Sequence, residues 1–263
     1  MAAASGLGLF NWSRRLFAAL LLGGQVIIHL LTGKINVRNT LEQMSFVGPE
    51  SLIVTLITAV FVGMVFTIQV AREFINFGAF TAVGGVLAIA LTRELGPVLT
   101  AVILAGRVGS AFAAEIGTMR VTEQIDALYM LDTDPVDYLV IPRLLSCCLM
   151  LPALTVLSLI TGLGGGMVVS RVLYGISNPV FLDSVKNFMA PWDLISAMLK
   201  ALVFGALISV IGCSWGLTTS GGAKGVGQST TASVVTSLLA IFVANFFLSW
   251  IMFRGSGSVF KGL

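Results

Sequence analysis

The segment Thr92–Leu128 places charged residues in an otherwise apolar sequence, TRELGPVLTAVILAGRVGSAFAAEIGTMRVTEQIDAL. Arg93 and Glu94 come first, and Arg107 and Glu115 follow. A charge inside a membrane-length apolar segment costs about 2.5–3.5 kcal/mol on insertion scales, so such residues are usually kept for function. The segment then leads into an acidic, soluble-looking stretch. This order indicates a membrane pathway that is connected to something in the cytosol.

The pair of Arg93 and Glu94 lies just before Gly96 and Pro97. Pro97 has no backbone N–H, so we expect it to kink or break a helix at this point. Backbone groups freed beside a charged pair can line a cavity, which is the interpretation that we favour. The alternative is a structural pair whose charges neutralise each other at a helix break.

Small residues recur every four positions after Pro97, a spacing that lets helices approach closely in lipid. They form two rows, Gly106, Ser110 and Ala114, and Gly109, Ala113 and Gly117. On an unbroken helix, Arg93, Arg107 and Glu115 lie within roughly 80° of one another. We predict that Arg107 and Glu115 form a structural polar seam, which fixes neighbouring helices.

A run of acidic residues occupies the segment from Arg120 to Asp137. Thr122 is a candidate N-cap with Glu123 in the first helical turn, and Asp134–Pro135 ends the helix. We predict a short amphipathic helix in a cytoplasmic loop, because Val121, Ile125 and Leu128 share one helical face. A docking helix for a soluble partner is the preferred interpretation, and a solvated loop helix is the alternative.

Composition identifies a polytopic membrane protein. The 263 residues are 57% hydrophobic and 10% charged, whereas a soluble domain carries about 25% charge. The net charge of +3 is spread along the chain and does not indicate nucleic-acid binding. One His and three Cys leave little for a metal site, and we predict none. The cysteines, Cys147, Cys148 and Cys213, are expected to be small buried residues.

Five apolar segments are long enough to cross a membrane as helices. They lie near Leu52–Ala71, Thr81–Thr118, Leu144–Val169, Leu194–Thr218 and Ala232–Phe253. Continuous apolar runs disfavour a transmembrane β-barrel, whose strands alternate. No internal repeat is visible, so an inverted-repeat secondary transporter has no support. The fold class is therefore all-α integral membrane.

The N-terminal run LFAALLLGGQVIIHLL follows Trp12, Arg14 and Arg15. It is open to three interpretations: a secretory signal, a sixth span, or a helix at the cytoplasmic interface. We favour the interfacial helix, because the run is short and because Trp and Arg suit that depth. His29 is then an interfacial polar residue and not a metal ligand. A weak positive-inside bias favours a cytoplasmic N-terminus.

The glycine-rich segment Thr219–Thr231, TSGGAKGVGQSTT, fails as a phosphate-binding loop because Gly225 follows Lys224. We predict a flexible cytoplasmic turn here. No nucleophile–base pair is evident for the single His. Any ATP hydrolysis must therefore come from another chain. The beginning MAAASGLGLF has no Ser- and Arg-rich transit stretch, which favours a bacterium or a processed chain.

At these motifs the chain resembles the MlaE permease family, the membrane subunit of ABC lipid transporters associated with MCE proteins. The similarity rests on RELGPVLTAVILAGRVGSAFAAEIGTMRVTEQIDAL, on GMVFTIQ (Gly63–Gln69) and on GGAKGVGQSTTASVV (Gly221–Val235). It extends over nearly the whole chain. A chloroplast-envelope and cyanobacterial branch of the family looks similar.

The resemblance implies an N-terminal interfacial helix and connector over residues 1–50 and a five-helix permease domain over residues 51–263. A cytoplasmic coupling helix is expected between spans 2 and 3. The implied partners are a second copy of the chain, two ABC ATPase subunits on the cytoplasmic side, MCE subunits on the other side, and membrane lipids. ATP and Mg belong to the ATPase, so this chain binds no cofactor and is not an enzyme.

The resemblance also implies two sets of site residues. The lipid-cavity set comprises Arg93, Glu94, Phe66, Gln69, Phe74 and Phe77. The ATPase-coupling set comprises Glu123, Gln124, Ile125, Asp126, Ala127 and Leu128. The segment Gly221–Thr231 is expected near the same cytoplasmic face.

The resulting hypothesis is the permease subunit of an ATP-driven transporter that moves glycerolipids or phospholipids between membranes. The expected location is a bacterial plasma membrane, with the chloroplast inner envelope as the alternative. Two other functions compete with it: a secondary transporter or channel for a small solute, and an integral-membrane lipid enzyme. Sparse polar residues inside the spans disfavour the first, and the missing catalytic cluster disfavours the second.

Overall fold

The computed structural model describes Arg15 and residues 17–26, 28–29 and 36–254. These residues are mainly helical and contain no strand. Their α-helices, in chain order, are α1 (Phe17–Val26), α2 (Val37–Val47), α3 (Pro49–Asn76), α4 (Val83–Ala90), α5 (Gly96–Leu104), α6 (Ser110–Val121), α7 (Gln124–Met130), α8 (Ile141–Tyr174), α9 (Asn178–Phe188), α10 (Pro191–Leu217) and α11 (Gly222–Phe253).

Five helical segments are long and apolar enough to cross a membrane: Val37–Asn76, Phe80–Val121, Val136–Tyr174, Pro191–Leu217 and Gly222–Phe253. The shortest has 27 residues. At 1.5 Å per residue it extends about 40 Å, which exceeds the roughly 30 Å of a hydrocarbon core. The five predicted spans are confirmed, and the chain is a multi-pass membrane protein. The helix α1 is apolar but shorter than a span, as expected for the N-terminal helix.

Two helices were not predicted. The first is α2, which falls in the predicted N-terminal connector but begins the first spanning segment; α3 follows it almost directly, with Pro49 in its first turn. The helix α9 lies between the third and fourth spans. It packs on α4, where the Gly85 N–H donates to Ser184 Oγ at 2.9 Å. Because Gly84 and Gly85 have no side chains, Phe181 and Phe188 of α9 can lie directly against this backbone.

The predicted break at Pro97 is not present, because the second span continues through it. The segment Leu91–Leu95 forms a π-helical turn, in which the Gly96 N–H donates to the Leu91 carbonyl five residues earlier. This turn absorbs the change in hydrogen-bond register that Pro97 imposes. A second π-helical turn covers Ala105–Gly109. The charged pair therefore lies in a continuous but locally widened helix.

The prediction of a flexible turn over Thr219–Thr231 is wrong for most of its length. The helix α11 begins at Gly222, and only a short turn precedes it, with Gly221 and Gly222 at φ values of +91° and +66°. Packing outweighs the helix cost of glycine, which is about 1 kcal/mol per residue. Ser229 is buried and accepts a hydrogen bond from Arg15 at 3.3 Å.

The chain packs as two compact units. The first takes the described residues up to Val47 together with Leu104–Cys148 and Gly205–Ala240. Its helices α6 and α10 approach closely: a Cβ added to Gly212 would lie 3.0 Å from the Gly109 carbonyl oxygen. A Cβ on Gly117 would lie 3.1 Å from Thr219 Oγ1. Part of the predicted row of small residues is therefore a helix-packing surface, as expected.

The second unit takes Gly48–Ile103, Leu149–Phe204 and the described residues from Ile241 onward. Its core is apolar and is formed by residues of α3, α4, the adjoining π-helical turn, α8, α9 and the connection between α8 and α9, namely Ala71, Val83, Leu87, Leu91, Leu159, Ile176 and Phe181. The helices α3 and α8 approach most closely at Gly63, where an added Cβ would overlap the Gly162 carbonyl oxygen. Glycine is therefore required for this crossing.

Replacing Gly63 by Ala should destabilise the protein, because the new methyl group collides with backbone that cannot move aside. Overpacking of this kind costs about 1–3 kcal/mol. Gly164→Ala is the matched control, since no atom lies within 4 Å of its added Cβ. Thermal unfolding in detergent should show a lower midpoint for Gly63→Ala only. Equal midpoints for both variants would contradict the close α3–α8 crossing.

Candidate functional site

The charged pair of the second span lies at a helix position where a proline removes a backbone donor. In an α-helix the N–H of residue 97 would bond to the carbonyl of Arg93, but Pro97 has no N–H. The Nζ of Lys200 donates to this carbonyl at 2.6 Å. Lys200 lies on α10 and thus links the proline site of one span to another span.

Lys200 is completely buried, with 0% of its side chain exposed. Its ammonium group has three N–H donors, and three acceptors surround it. Besides the Arg93 carbonyl, these are Glu94 Oε1 at 3.0 Å and Ser249 Oγ at 2.7 Å. A buried charge is tolerated when it is paired and all its hydrogen bonds are made. Lys200 meets both conditions.

Glu94 is bonded through both carboxylate oxygens. Its Oε1 accepts hydrogen bonds from Lys200 and from Ser249 Oγ, the latter at 2.7 Å. Its Oε2 accepts from Asn245 Nδ2 at 2.6 Å. Asn245 and Ser249 are four residues apart on α11 and so share one helical face. Glu94 therefore ties the second span to both α10 and α11.

Arg93 makes a separate ion pair. Its Nε donates to Asp193 Oδ1 at 2.7 Å, and Asp193 is 1% exposed. The other Asp193 oxygen accepts from the Ala190 N–H at 2.9 Å, next to the beginning of α10. The Arg93 guanidinium carbon lies 4.7 Å from the centre of the Phe253 ring, a cation–π contact. Its side chain remains 36% exposed, so part of the guanidinium can reach a ligand.

The two pairs form one polar network with two cations and two anions, which we call the charge network: Arg93, Glu94, Asp193, Lys200, Asn245 and Ser249. Its charges balance, so the network can stay inside apolar spans. Of these residues, the Arg93–Glu94 pair alone was predicted from the sequence. Asp193 and Lys200 are seven residues apart in one apolar segment. This spacing places both on one helical face and could have indicated that they belong to a polar site.

An apolar groove of about 470 Å³ opens along α3. It is lined by Ile57, Thr58, Phe61, Val62, Val65, Phe66, Gln69 and Leu95. Of the predicted cavity residues, Phe66 and Gln69 therefore lie in the groove. Phe74 instead packs against the core of the second unit. Phe77 follows α3 as its C-cap and is 83% exposed.

The predicted coupling segment forms α7, but its start differs from the prediction. Thr122 is not the N-cap: it ends α6, and its Oγ1 donates back to the Thr118 carbonyl at 2.8 Å. Glu123 occupies the N-cap position with a left-handed φ of +61°. The tight connection between α6 and α7 requires this conformation, which is uncommon for a residue other than Gly.

Within the coupling segment, Ile125 is buried, and Asp126 accepts a hydrogen bond from Arg120 at 2.6 Å. The remaining predicted residues, Glu123, Gln124, Ala127 and Leu128, are exposed or half-buried. Three exposed apolar side chains lie just beyond them, on Tyr129, Met130 and Leu131, which are 62%, 89% and 73% exposed. These three residues were not predicted, although they directly follow the predicted segment.

Arg107 and Glu115, the predicted polar seam, have different partners. Arg107 donates to the Phe46 carbonyl at 3.1 Å and lies over the Phe46 ring. Glu115 accepts from Arg143 at 2.8 Å, and Arg143 is 8% exposed. Both arginines therefore connect α6 or its preceding turn to another helix. Arg143 was missed because it falls at the start of a long apolar segment.

Comparison with known proteins identifies the family. The family described as Permease MlaE matches residues 40–251. A probable ABC transporter permease of Synechocystis sp. is 67% identical and aligns over 95% of both chains. The Arabidopsis thaliana protein TRIGALACTOSYLDIACYLGLYCEROL 1, chloroplastic, is 53% identical over 92% of this chain and 69% of its own. The probable ABC transporter permease ycf63 of Porphyra purpurea is 52% identical over 94% of both.

This chain belongs to the MlaE permease family and is an ABC transporter permease. The resemblance inferred from its motifs is thus confirmed. Relatives from a cyanobacterium and a chloroplast fit an inner or envelope membrane as its location.

Replacing Lys200 by Met should lower the free energy of unfolding by on the order of 3 kcal/mol, because the Arg93 carbonyl and Glu94 both lose their buried donor. The double variant Lys200→Met with Glu94→Gln should recover part of this loss, since the uncompensated carboxylate is gone. Denaturant unfolding of purified protein in mixed micelles measures both.

The control is Arg38→Ala, which removes an exposed pair with Glu42. We expect a change of at most about 0.5 kcal/mol there. If Lys200→Met were no more destabilising than this control, the charge network would not stabilise the helices.

Proposed function

We propose that this MlaE permease moves glycerolipids or phospholipids between membranes, driven by ATP hydrolysis on separate ABC ATPase subunits. The name of the Arabidopsis relative refers to trigalactosyldiacylglycerol, a glycerolipid. The proposal rests on one observation: this chain, a member of the permease family, has a groove along α3. It is apolar, open and large enough, at about 470 Å³, for part of a lipid acyl chain.

The lining chemistry of the groove supports a lipid over a small polar solute. Phe61, Phe66 and Val65 offer apolar surface to an acyl chain, and Gln69 provides a polar group farther along the same helix. A polar solute would need several convergent donors and acceptors. Among the described residues that line the groove, Thr58 and Gln69 are the polar ones.

Arg93 is the candidate contact for a lipid head group. In the described part of the chain its Nε is engaged by Asp193, while the side chain is partly exposed. The terminal N–H groups of a guanidinium pair well with phosphate oxygens. Glu94 is held by Lys200, Asn245 and Ser249. Glu94 fixes the backbone that carries Arg93, and its negative charge limits how tightly Arg93 holds an anion.

Coupling to the ATPase is assigned to α7 and the residues after it. Tyr129, Met130 and Leu131 expose apolar side chains on a loop between two spans, whereas Ile125 anchors α7 to the permease. Exposed apolar side chains of this kind suit insertion into a groove on a partner. The preceding span, Phe80–Val121, is one continuous helical segment that also carries Arg93 and Glu94. A push on α7 is therefore applied to the helix that bears the charge network.

The complete assembly proposed is a homodimer with two ATPases on the cytoplasmic side and MCE subunits on the other side. The lipid occupies a cavity at the dimer centre. Closure of the ATPases narrows this cavity and passes the lipid to or from the MCE subunits. ATP and Mg are bound by the ATPase and not by this chain.

Introducing a charge at Met130, as Met130→Asp, should abolish ATPase binding, because a carboxylate would have to be desolvated in the apolar contact. Leu182→Asp is the matched control: Leu182 is an exposed apolar residue of α9, in the loop after the following span. Co-purification of the ATPase should fail for the first variant only. Retention of the ATPase by Met130→Asp would contradict the assignment of this surface.

Filling the groove with Val65→Trp should reduce co-purified glycerolipid and ATP-dependent lipid transfer by about tenfold. The bulky ring would occupy the space of the acyl chain. Ile53→Trp is the control, because Ile53 is exposed on the same helix but does not line the groove. Lipid mass spectrometry and transfer between labelled vesicles provide the two readouts. Unchanged lipid content in Val65→Trp would rule out the groove as the binding site.

A further inference from the structure

Three metal-ligating side chains meet at a place that the transport proposal does not use. His29 Nδ1 lies 2.8 Å from Asp137 Oδ1, and His29 Nε2 lies 3.9 Å from Asp134 Oδ2. One ligand atom can be chosen from each residue so that all three lie within 4.8 Å of one another. His29 comes from the N-terminal part of the chain, more than a hundred residues away in sequence. The fold, and not local sequence, assembles this set.

The carboxylates are held in place by local structure. Asp134 Oδ1 accepts a hydrogen bond from the Val136 N–H at 2.8 Å, which leaves Asp134 Oδ2 directed toward His29. Asp137 lies in the π-helical turn Val136–Val140 that opens the third span. In the described ranges neither carboxylate forms an ion pair with Lys or Arg. Among the described side chains, the partner of both carboxylates is the His29 imidazole.

We propose that His29, Asp134 and Asp137 form a binding site for a divalent transition-metal ion of the Zn²⁺ type. Imidazole nitrogen with carboxylate oxygen is a ligand set that such ions accept at about 2.0–2.2 Å. Ligand atoms on one tetrahedral ion are about 3.4 Å apart at these bond lengths. To reach this spacing, His29 Nδ1 and Asp137 Oδ1, now 2.8 Å apart, would separate slightly, and the other ligand atoms, which lie within 4.8 Å, would adjust by an ångström or so. They are 30%, 43% and 36% exposed, so the ion can enter and water can complete its coordination.

The ion would act as a crosslink. It would join the residues just after α1 to the segment between α7 and α8, which lies only a few residues beyond the exposed Met130 and Leu131. Metal binding would then order the connection between the coupling helix and the third span. No metal ligand was predicted from the sequence, because a single His with carboxylates far away in the chain has no recognisable ligand spacing.

The test uses the fact that His29 is the only histidine of the chain. In protein purified without affinity-tag histidines and labelled with ¹⁵N-histidine, NMR reports on His29 alone. Stoichiometric Zn²⁺ should shift its ring nitrogen signals, and calorimetry should give one Zn²⁺ per chain. Mg²⁺ at the same concentration should not shift the signals. If Zn²⁺ left the imidazole spectrum unchanged, the site would be overturned, even if calorimetry detected Zn²⁺ binding elsewhere on the protein.

The variants identify the carboxylate ligands. Asp134→Asn and Asp137→Asn should each weaken Zn²⁺ binding at least about tenfold. The control is Asp132→Asn, which removes the same charge from the same connection and keeps a residue that tolerates its left-handed φ of +53°. Equal Zn²⁺ affinity in all three variants would overturn the proposal. Loss confined to Asp134→Asn and Asp137→Asn would support it.

Discussion

The arrangement of the second unit depends on one buried cation. Pro97 leaves the Arg93 carbonyl without its helical donor, inside a span where no water replaces it. Lys200 provides that donor and also neutralises Glu94. Burying an ammonium group is costly unless it is paired and fully bonded. Ser249 provides the third acceptor of Lys200, and Asn245 donates to the Glu94 carboxylate that pairs with Lys200. The missing N–H of Pro97 in one helix thus explains why polar residues occur on two other helices.

The same backbone irregularity bears on the proposed role of Arg93 in lipid binding. A π-helical turn places the side chains of consecutive residues differently from a regular helix, and such turns are frequent at functional sites. Here Glu94 turns to Lys200, while Arg93 turns to Asp193 and stays partly exposed. One residue of the pair is committed to structure, and its neighbour keeps capacity for a ligand. The functional and structural interpretations of the pair are therefore complementary.

The sequence was sufficient for features that depend on local composition. A bilayer demands about 20 apolar residues per helix, so the five spans were predicted correctly. The contacts between helices were not predictable, because Arg93 and Lys200 are far apart in the sequence and no periodicity relates them. In the segment Gly222–Thr231, local composition gave the wrong prediction. Its composition favours a turn, but buried contacts such as that of Ser229 hold it as a helix. The left-handed Glu123 was equally invisible, since only the tight turn between α6 and α7 demands it.

The central claim is that this permease works as a lipid transporter with a separate ATPase. It is tested most directly by purifying the chain from its native membrane in mild detergent and analysing proteins and lipids together by mass spectrometry. We predict recovery of an ABC ATPase, an MCE subunit and a bound glycerolipid. A chain that is recovered without an ATPase and without enriched glycerolipid, under conditions that preserve other ABC transporters, would contradict the account.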